Sequence, residues 1–508
     1  MRTADAVVIG TGVIGAAIAY ELSQAGLQVT VVDRLGDVSS GSTSSSSAVV
    51  RFHYSTFEGV AASWEAKFGW EAWREYLGGP PEVALAKFYK VGCLILDGST
   101  QREQVLSLFE RVGVPYVCWD AETIRQRVPG LDPGRYGPPK PVTDEAFWAD
   151  ADGELGAYFT PDGGFVDDPQ LAARKLIAAA KLRGAEIQLR EEVVAILQKK
   201  ARVQGVKLRT GSVIESPIVV NVAGPHSSRV NALAGVTEEF RTRTRPLRQE
   251  VHSVPAPSGY ARGELGPAVV DGDLGTYFRS HVDGRLIVGG AEPDCDPLHW
   301  IDDPNMYDPL PTTQIWDAQV LRLARRIPSL RVPRRLSGLG ALYDVADDWI
   351  PIYDRTSLGG FYVAIGTSGN QFKNAPIVGR FMATLIYACE NGHDHDADPV
   401  VVQGRFTRNA INLGHYSRLR QPHAESAFNV MGLWGTGTAA CSSASASMSS
   451  SVSPSKCTAT TPPAIEERCV AMLGLHSALA SKHTAVVSRR LAQVDPVLPG
   501  RAGRVVLD

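Results

Sequence analysis

The chain of 508 residues has few cysteines, no long apolar run and no excess of either charge. Its seven cysteines include no Cys-x-x-Cys pair, which argues against a structural zinc or iron–sulfur site and favours free thiols in a reducing compartment. No stretch of 18 apolar residues is present to span a membrane, and residues 1–5 lack the pattern of a secretory signal. These absences predict a cytoplasmic protein.

Composition and charge describe an ordinary folded protein rather than a nucleic-acid binder. Lys and Arg number 51 and Asp and Glu 54, so the net charge of −3 provides no field that would hold a phosphate backbone. Hydrophobic residues make up 44% of the chain and charged residues 21%, enough for a substantial core. At roughly 150 residues per domain, the length fits one large two-domain enzyme as well as three modules.

A strand, a glycine-rich turn, a helix and a second strand are predicted within the first 33 residues. Residues 6–9 form a short apolar run, and Ile14, Ile18 and Leu22 recur at helical spacing in the segment 14–25. The β-branched run 28–32 follows. This order predicts a βαβ unit, which requires a parallel sheet.

The turn within this unit has the spacing of a dinucleotide-binding motif, Gly-x-Gly-x-x-Gly. Gly10 would make the tight turn, Gly12 would let the backbone approach a pyrophosphate, and Gly15 would allow the helix to pack closely on the strand. Asp33, at the end of the second strand, would accept hydrogen bonds from ribose hydroxyls. The motif predicts dinucleotide binding but leaves NAD and FAD as alternatives.

Hydrophobic periodicity predicts further helices and strands along the chain up to about residue 390. The predicted helices are 59–77, 101–112, 168–183, 316–326 and 376–389, and the predicted strands are 186–190, 193–198, 203–208, 213–220 and 360–365, with alternating strands over 246–291. We therefore expect the chain to pass from a nucleotide-binding domain into a β-rich domain and back, twice.

Three further segments carry a family resemblance that decides between the two dinucleotides. They are the serine-rich stretch 40–51, the strand and turn Val219–Pro225, and the glycine-rich turn Gly366–Gly379. Together with the N-terminal turn, they resemble the D-amino-acid oxidase superfamily of FAD enzymes, and most closely its sarcosine oxidase and dimethylglycine oxidase branch. The resemblance covers about residues 5–420 and implies FAD as the cofactor.

The resemblance implies an α/β fold in which a Rossmann-type FAD-binding domain is interleaved with a β-rich substrate domain built on a mixed antiparallel sheet. A C-terminal tail rich in Ser, Ala and Thr follows; we expect it to be disordered, with a helix over 465–491 as an alternative. The expected boundaries are 1–88, 161–240 and 335–395 for the FAD-binding domain, 89–160 and 241–334 for the substrate domain, 396–431 for a closing segment and 432–508 for the tail.

The FAD is expected to be bound without a covalent link. Ala341 stands where the sarcosine oxidase pattern has a cysteine that tethers the flavin, and residues 40–50 contain no counterpart of the flavin-attaching histidine of the dimethylglycine branch. Backbone amides of the turn 366–372 would favour the negative charge of a reduced flavin. The candidate cofactor-binding residues are Gly10, Gly12, Val13, Ile14, Gly15, Asp33, Arg34, Ser42, Thr43, Ser44, Ser46, Ser47, Val193, Ala223, Gly224, Gly340, Gly366, Gly369, Asn370, Gln371, Phe372 and Lys373.

Two basic residues fall on positions that hold the substrate carboxylate in the sarcosine oxidase pattern. Arg51 offers a planar fork of donors and Lys373 a point charge, and a bidentate contact would fix the α-carbon beside flavin N5. The alternative is that Arg51 forms a structural ion pair and Lys373 lies on the surface.

Five other side chains are candidates for contacting the substrate amine or carboxylate. His53 and Tyr54 lie two and three residues after Arg51, while Tyr277, Arg279 and Tyr343 lie on predicted strands that would line the site. We include His53, Tyr277 and Tyr343 among the catalytic candidates. Each of these five residues could instead be an ordinary core residue.

The resemblance implies an enzyme that oxidises a C–N bond of an amino acid or secondary amine to an imine by hydride transfer to flavin N5. One departure leaves the electron acceptor open: the segment Leu286–Gly290 has no basic residue where the pattern has an oxygen-activating lysine. We therefore expect a small amine or amino-acid substrate and either O2 or a carrier as acceptor, with no nucleic-acid or membrane partner. The alternatives are a biosynthetic oxidase acting on a larger amine and a flavin-carrying subunit of a hetero-oligomer.

The segment His393–Asp396 alternates histidine and aspartate and could in principle bind a metal. It lies in a polar loop after a predicted helix, where a solvated charged loop is the simpler interpretation. No metal site is therefore expected.

Overall fold

The computed structural model describes residues 2–78, 84–98, 102–260, 263–423, 426 and 429–431. The helices in this part of the chain are α1 (Val13–Gln24), α2 (Phe57–Glu71), α3 (Trp73–Leu77), α4 (Arg102–Val112), α5 (Ala121–Arg127), α6 (Pro169–Leu182), α7 (Ser227–Ala234), α8 (Thr313–Arg326) and α9 (Ala375–Glu390). The strands are β1 (Arg2–Thr3), β2 (Ala6–Ile9), β3 (Val29–Asp33), β4 (Val49–Val50), β5 (Phe88–Tyr89), β6 (Cys93–Leu96), β7 (Val117–Trp119), β8 (Ala157–Thr160), β9 (Gly164–Val166), β10 (Glu186–Leu189), β11 (Val193–Lys199), β12 (Arg202–Leu208), β13 (Val213–Glu215), β14 (Ile218–Asn221), β15 (Thr244–Pro255), β16 (Ala268–Asp271), β17 (Thr276–Ser280), β18 (Arg285–Gly290), β19 (His299–Trp300), β20 (Gly338–Ala346), β21 (Ile352–Arg355), β22 (Phe361–Ile365), β23 (Val401–Gln403) and β24 (Ala410–Asn412).

A six-stranded sheet in the order β10-β3-β2-β14-β22-β21 holds the N-terminal βαβ unit. Its first five strands are parallel, and β21 joins the edge in the antiparallel direction. The central strands β2, β14 and β22 are buried along their whole length, as expected for a parallel sheet that is covered on both faces. Helix α1 packs against α6 and α9. A second sheet, β1-β13-β12-β11, shares a separate apolar core with the six-stranded sheet.

A nine-stranded sheet forms the β-rich part of the molecule. Its path runs β19-β15-β18-β17-β16-β6-β8-β7, with β20 also paired to β15, and only the β16–β6 pair is parallel. Helix α8 packs against β15, β17 and β18 and closes an apolar core on that side. The expected α/β fold, with a Rossmann-type domain interleaved with a β-rich domain, is confirmed.

Two predicted elements are each divided in the structure. The helix predicted over 59–77 is two helices, because Ala72 leaves helical geometry (φ −98°, ψ 36°) between α2 and α3. The strand predicted over 213–220 is also two, since Pro217 lacks an N–H and separates β13 from β14, which belong to different sheets. The other predicted helices and strands agree with the structure to within a few residues at their ends.

The tail 432–508, with the helix considered over 465–491, lies outside the described residues. Within the part of the chain that the structure describes, no helix combines the length and the apolar character needed to cross a membrane.

Candidate active site

The glycine turn between β2 and α1 is held by two very close backbone approaches. Gly10 has φ +120°, and a Cβ placed on it would lie 2.4 Å from the carbonyl oxygen of Val222. A Cβ on Gly15 would lie 2.1 Å from the carbonyl oxygen of Gly10. At Gly12, by contrast, the nearest atom would be Thr43 Oγ1 at 3.4 Å. The protein itself therefore fills the space at Gly10 and Gly15 but leaves Gly12 open to another molecule.

Asp33 closes the same turn from the end of β3. Its Oδ2 accepts hydrogen bonds from the backbone N–H of Thr11 (2.7 Å) and from the Thr11 hydroxyl (2.6 Å), while Oδ1 accepts from the N–H of Leu35 (2.9 Å). Arg34 donates to the side-chain oxygen of Asn305. Asp33 is thus fixed in place with lone pairs that remain available at the rim of a cavity.

A cavity of about 640 Å³ starts at this turn and runs between the two large sheets. Its lining comes from chain segments far apart in sequence, and it includes Ala341, the position relevant to a covalent link. The predicted cofactor residues that line it are Gly10, Gly12, Val13, Ile14, Gly15, Asp33, Arg34, Ser42, Thr43, Ser46, Ser47, Val193, Ala223, Gly224, Gly369, Gln371 and Phe372.

Five predicted cofactor residues do not line this cavity. The hydroxyl of Ser44 donates to the carbonyl of Gly41 within its own turn (2.9 Å). Gly340 lies against the guanidinium of Arg248, and the N–H of Gly366 donates to Asp344 Oδ2 at 2.7 Å, so both are engaged in packing around the cavity wall. The remaining two residues, which line a smaller adjoining cavity, are Asn370 and Lys373.

Residues outside the predicted set also line the large cavity. Arg229 lies on α7, directly after the predicted turn, and pairs with Asp303 at 2.7 Å. A helix that starts just beyond a glycine turn could have indicated Arg229. Nothing in the sequence marks Gln249 or Tyr307, because their approach depends on how distant segments pack.

The smaller cavity, of about 30 Å³, adjoins the large one. It is lined by basic residues, tyrosines and the last described residues of the chain. Five residues line both cavities, which places the two side by side: Ser46, Ser47, Tyr343, Gly369 and Phe372. The others include Arg51, Tyr277, Lys373, Val430 and Met431.

Arg51 and Lys373 bring two buried cations to this smaller cavity, with exposed fractions of 2% and 3%. Arg51 donates to the backbone carbonyls of His53 and Val430, and Lys373 Nζ donates to the carbonyl of Asn370 at 2.7 Å. Within the described residues, neither cation forms an ion pair with a carboxylate. Burial lowers the pKa of both groups, that of Lys373 well below its ordinary value, and the charge of Arg51 adds to this for Lys373. The arrangement is suited to receiving an anion.

The other substrate candidates differ in how close they come to this cavity. Tyr277 shares a hydrogen bond with the Ser47 hydroxyl (2.9 Å), and Tyr343 lines both cavities, so both belong to the site wall. Tyr54 lies beneath the two cations, with its ring centroid 4.9 Å from the Arg51 guanidinium carbon and its hydroxyl donating to a backbone carbonyl. Arg279 lies over the Phe165 ring and donates to backbone carbonyls, so it supports the wall and lines neither cavity.

His53 is buried and does not line the smaller cavity. Burial, followed by the positive charges of Arg51 and Lys373, lowers the pKa of His53 well below its ordinary value. The imidazole is therefore neutral at physiological pH.

The loop His393–Asp396 is engaged in structural contacts. His395 Nδ1 accepts from the N–H of Val400 at 3.0 Å, and Asp396 forms two hydrogen bonds with Arg418. No group of three potential metal ligands occurs in the ranges that the structure describes.

A dinucleotide cavity joined to a small cavity lined by two basic side chains can hold a dinucleotide cofactor beside a small anionic ligand. The open approach at Gly12, the acceptor Asp33 and a cavity that extends to Phe372 fit the pyrophosphate, the ribose and a flat ring system of FAD. Residues 5–385 match the family described as FAD dependent oxidoreductase (DAO). The chain belongs to this family of FAD-dependent oxidoreductases.

Individual relatives agree with this assignment. The chain is 24% identical over 414 residues to FAD-dependent oxidoreductase domain-containing protein 1 of Xenopus laevis, covering 75% of this chain and 79% of that protein. It is 24% identical to sarcosine oxidase subunit beta of Rhodobacter capsulatus, covering 75% and 84%. The solved structure of L-proline dehydrogenase from P. horikoshii shares the fold, with a TM-score of 0.65, 23% identity and coverage of 82% of this chain and 98% of that one.

Proposed function

We propose that this FAD-dependent oxidoreductase oxidises the C–N bond of a small amino acid or N-methyl amine to an imine. The observation that carries the proposal is the pair of buried cations, Arg51 and Lys373, in a cavity beside the FAD cavity. Without an ion pair among the described residues, they provide a carboxylate-binding position next to where the flavin ring would lie.

Bound FAD would supply a hydride acceptor at N5. Arg51 would bind the two carboxylate oxygens through its fork of donors, and Lys373 would add charge, so that the α-carbon is held at a fixed distance from the flavin. Tyr277 and Tyr343 would form the walls that orient the amine. The amine first loses a proton to solvent, which frees the nitrogen lone pair. As the α-C–H bond breaks with its electron pair, this lone pair forms the C=N bond, and water then hydrolyses the protonated imine.

His53 is not suited to take that proton, since it is buried, lines neither cavity, and has a pKa well below its ordinary value, which makes it a weak base. Its neutral state avoids a third positive charge in the cluster. We therefore assign His53 a supporting role, in keeping with catalysis that depends on substrate position and electrostatic environment rather than on a strong protein base.

We further propose that the FAD is held without a covalent link, since Ala341 lines the cavity and has no nucleophile. Both O2 and a carrier stay open as electron acceptors, because residues 286–290 include no basic residue where the sarcosine oxidase pattern has an oxygen-activating lysine. The domain boundaries and the cytoplasmic location remain predictions.

A second candidate function is that of a flavin-carrying subunit in a larger enzyme. The relative from Rhodobacter capsulatus is named a subunit, and its similarity extends over 75% of this chain. Co-purification with a second chain, and turnover only in its presence, would favour this candidate.

The proposal is tested by turnover with an artificial electron acceptor, which responds whether the natural enzyme is an oxidase or a dehydrogenase. Purified protein would be incubated with small amino acids, their N-methyl derivatives and larger amines, and the carbonyl product would be quantified. Product from a small amino acid or N-methyl amine is expected. Product from the larger amines alone would favour the alternative of a biosynthetic oxidase, and no product from any amine would contradict the proposal.

A further inference from the structure

The main chain of Val430 lines the smaller cavity and joins Arg51 to Glu292 through its two polar groups. Its carbonyl oxygen accepts a hydrogen bond from Arg51, and its N–H donates to Glu292 Oε2 at 3.0 Å. The nitrogen and the carbonyl carbon of one residue are separated by a single Cα, as are the amine and carboxyl groups of an α-amino acid. Val430 therefore presents to the site the same sequence of atoms that an amino-acid substrate would.

Glu292 stands two residues beyond the end of β18 and has φ +48°, a left-handed conformation that is uncommon for a residue other than glycine. In the described part of the chain its carboxylate has no cationic partner within ion-pair distance. The one hydrogen-bond donor that the structure records for it is the N–H of Val430. Glu292 itself lines neither cavity, and it is connected to the smaller one through Val430, which does line it. An acceptor held in an unusual backbone conformation next to a residue that lines a cationic cavity calls for a functional explanation.

The charges around Glu292 explain how it could act on a ligand. The groups that interact with it are Arg51, Tyr277 and Tyr343 from the cavity and Asp296 from its own loop. Burial raises the pKa of Glu292 to about 8. A cationic amine arriving beside the carboxyl group would favour its ionised form and gain a charge-assisted hydrogen bond.

We propose that Glu292 binds the substrate amine, so that Arg51 and Glu292 together recognise the carboxylate and amine ends of an amino acid. In the free protein the main chain of Val430 occupies this position, and the substrate displaces it. This inference rests on the proposed function and adds a determinant of specificity: the site discriminates amino acids from plain carboxylates through Glu292 and amino acids from plain amines through Arg51.

The test compares Glu292→Gln with the wild-type enzyme and with Asp294→Asn, which removes an exposed carboxylate from the same loop. Two pairs of measurements would be made in the full chain: KM and kcat for the amino-acid substrate, and dissociation constants of 2-aminoisobutyrate and isobutyrate from the change in the flavin spectrum. 2-Aminoisobutyrate has no α-hydrogen and cannot be oxidised, so its binding is measured separately from turnover.

Glu292→Gln is expected to raise KM and the 2-aminoisobutyrate dissociation constant on the order of tenfold to a hundredfold, with kcat and isobutyrate binding little changed. In the wild-type enzyme, kcat/KM is expected to change with pH near 8, where Glu292 ionises, and this change should be absent in Glu292→Gln. Asp294→Asn should behave as wild type. Glu292→Asp should retain more affinity than Glu292→Gln. Equal losses for both ligands, or no loss for either, would overturn the role of Glu292 while leaving the proposed function intact. Absence of turnover with every amine would instead contradict the proposed function, and the inference with it.

Discussion

At the scale of single residues, Arg51 is the main residue proposed to bind the substrate carboxylate. It is buried, it receives no carboxylate from the described chain, and its donors are directed at carbonyls that a substrate carboxylate could replace. Lysine at this position would keep the charge but lose the planar fork that binds two oxygens at once. The difference between the two side chains therefore tests geometry rather than charge.

Arg51→Lys is expected to raise KM for an amino-acid substrate on the order of tenfold to a hundredfold, because one of two charge-assisted hydrogen bonds is lost. An amine without a carboxylate should show little change. Steady-state kinetics on both substrates would measure this, with Arg125→Lys, in an exposed ion pair with Glu154, as the matched control. An unchanged KM for the amino acid would show that Arg51 has only a structural role.

Glu250 is a buried residue that stabilises the folded protein. Although burial of its carboxyl group opposes ionisation, hydrogen bonds from His252, Thr312 and Arg248 lower its pKa to about 2. A pKa below the unfolded value means that this stabilisation is fully present above about pH 4.5 and is lost as pH falls towards 2.

We therefore expect Glu250→Gln to lower the free energy of unfolding at pH 7 by roughly 3 kcal/mol, and the difference from wild type to shrink as pH falls from 4.5 towards 2. Urea unfolding at several pH values would measure it. A difference that stays constant over this pH range would show that ionisation of Glu250 is not its source.

At the scale of elements, the N-terminal βαβ unit is the part that sequence predicts best. Its strands are buried apolar runs, its helix is apolar and buried from Val13 to Ser23, and the glycine spacing depends on contacts within a few residues. Prediction was less accurate where one residue interrupts a continuous pattern. Ala72 ends α2 although alanine favours helix, so tertiary packing decides there, whereas Pro217 was a visible signal for the break between β13 and β14.

Two substitutions in the glycine turn should separate packing from cofactor binding. Gly15→Ala forces a Cβ to 2.1 Å from the Gly10 carbonyl oxygen and is expected to destabilise the fold by at least about 2 kcal/mol. Gly12→Ala meets only Thr43 Oγ1 at 3.4 Å, so the FAD-free protein should keep its stability while FAD affinity falls at least about tenfold. Thermal unfolding without FAD and FAD titration would measure the two effects. Equal FAD affinity in Gly12→Ala and wild type would contradict the assignment of this turn to the pyrophosphate.

At the scale of the whole molecule, the site is assembled from segments whose proximity cannot be predicted from the sequence. Arg51, Tyr277 and Lys373 could be nominated from a family pattern, but their convergence beside the large cavity depends on the packing of both sheets. The roles of Glu292 and Val430 were not predicted, because they depend on a contact between residues 138 positions apart. His53 is two residues from Arg51 in sequence yet does not line the cavity that Arg51 lines, a distinction that requires the folded chain.

The most direct test of the account is the anaerobic visible spectrum of the purified protein during titration with single amino acids and N-methyl amines. We predict a yellow protein whose flavin band is bleached by a small amino acid or N-methyl amine, with one equivalent of substrate reducing one equivalent of FAD. Recovery of the band on admitting air would identify O2 as an acceptor. A protein that cannot take up FAD, or a flavin band that no amine or amino acid bleaches, would contradict the central claim.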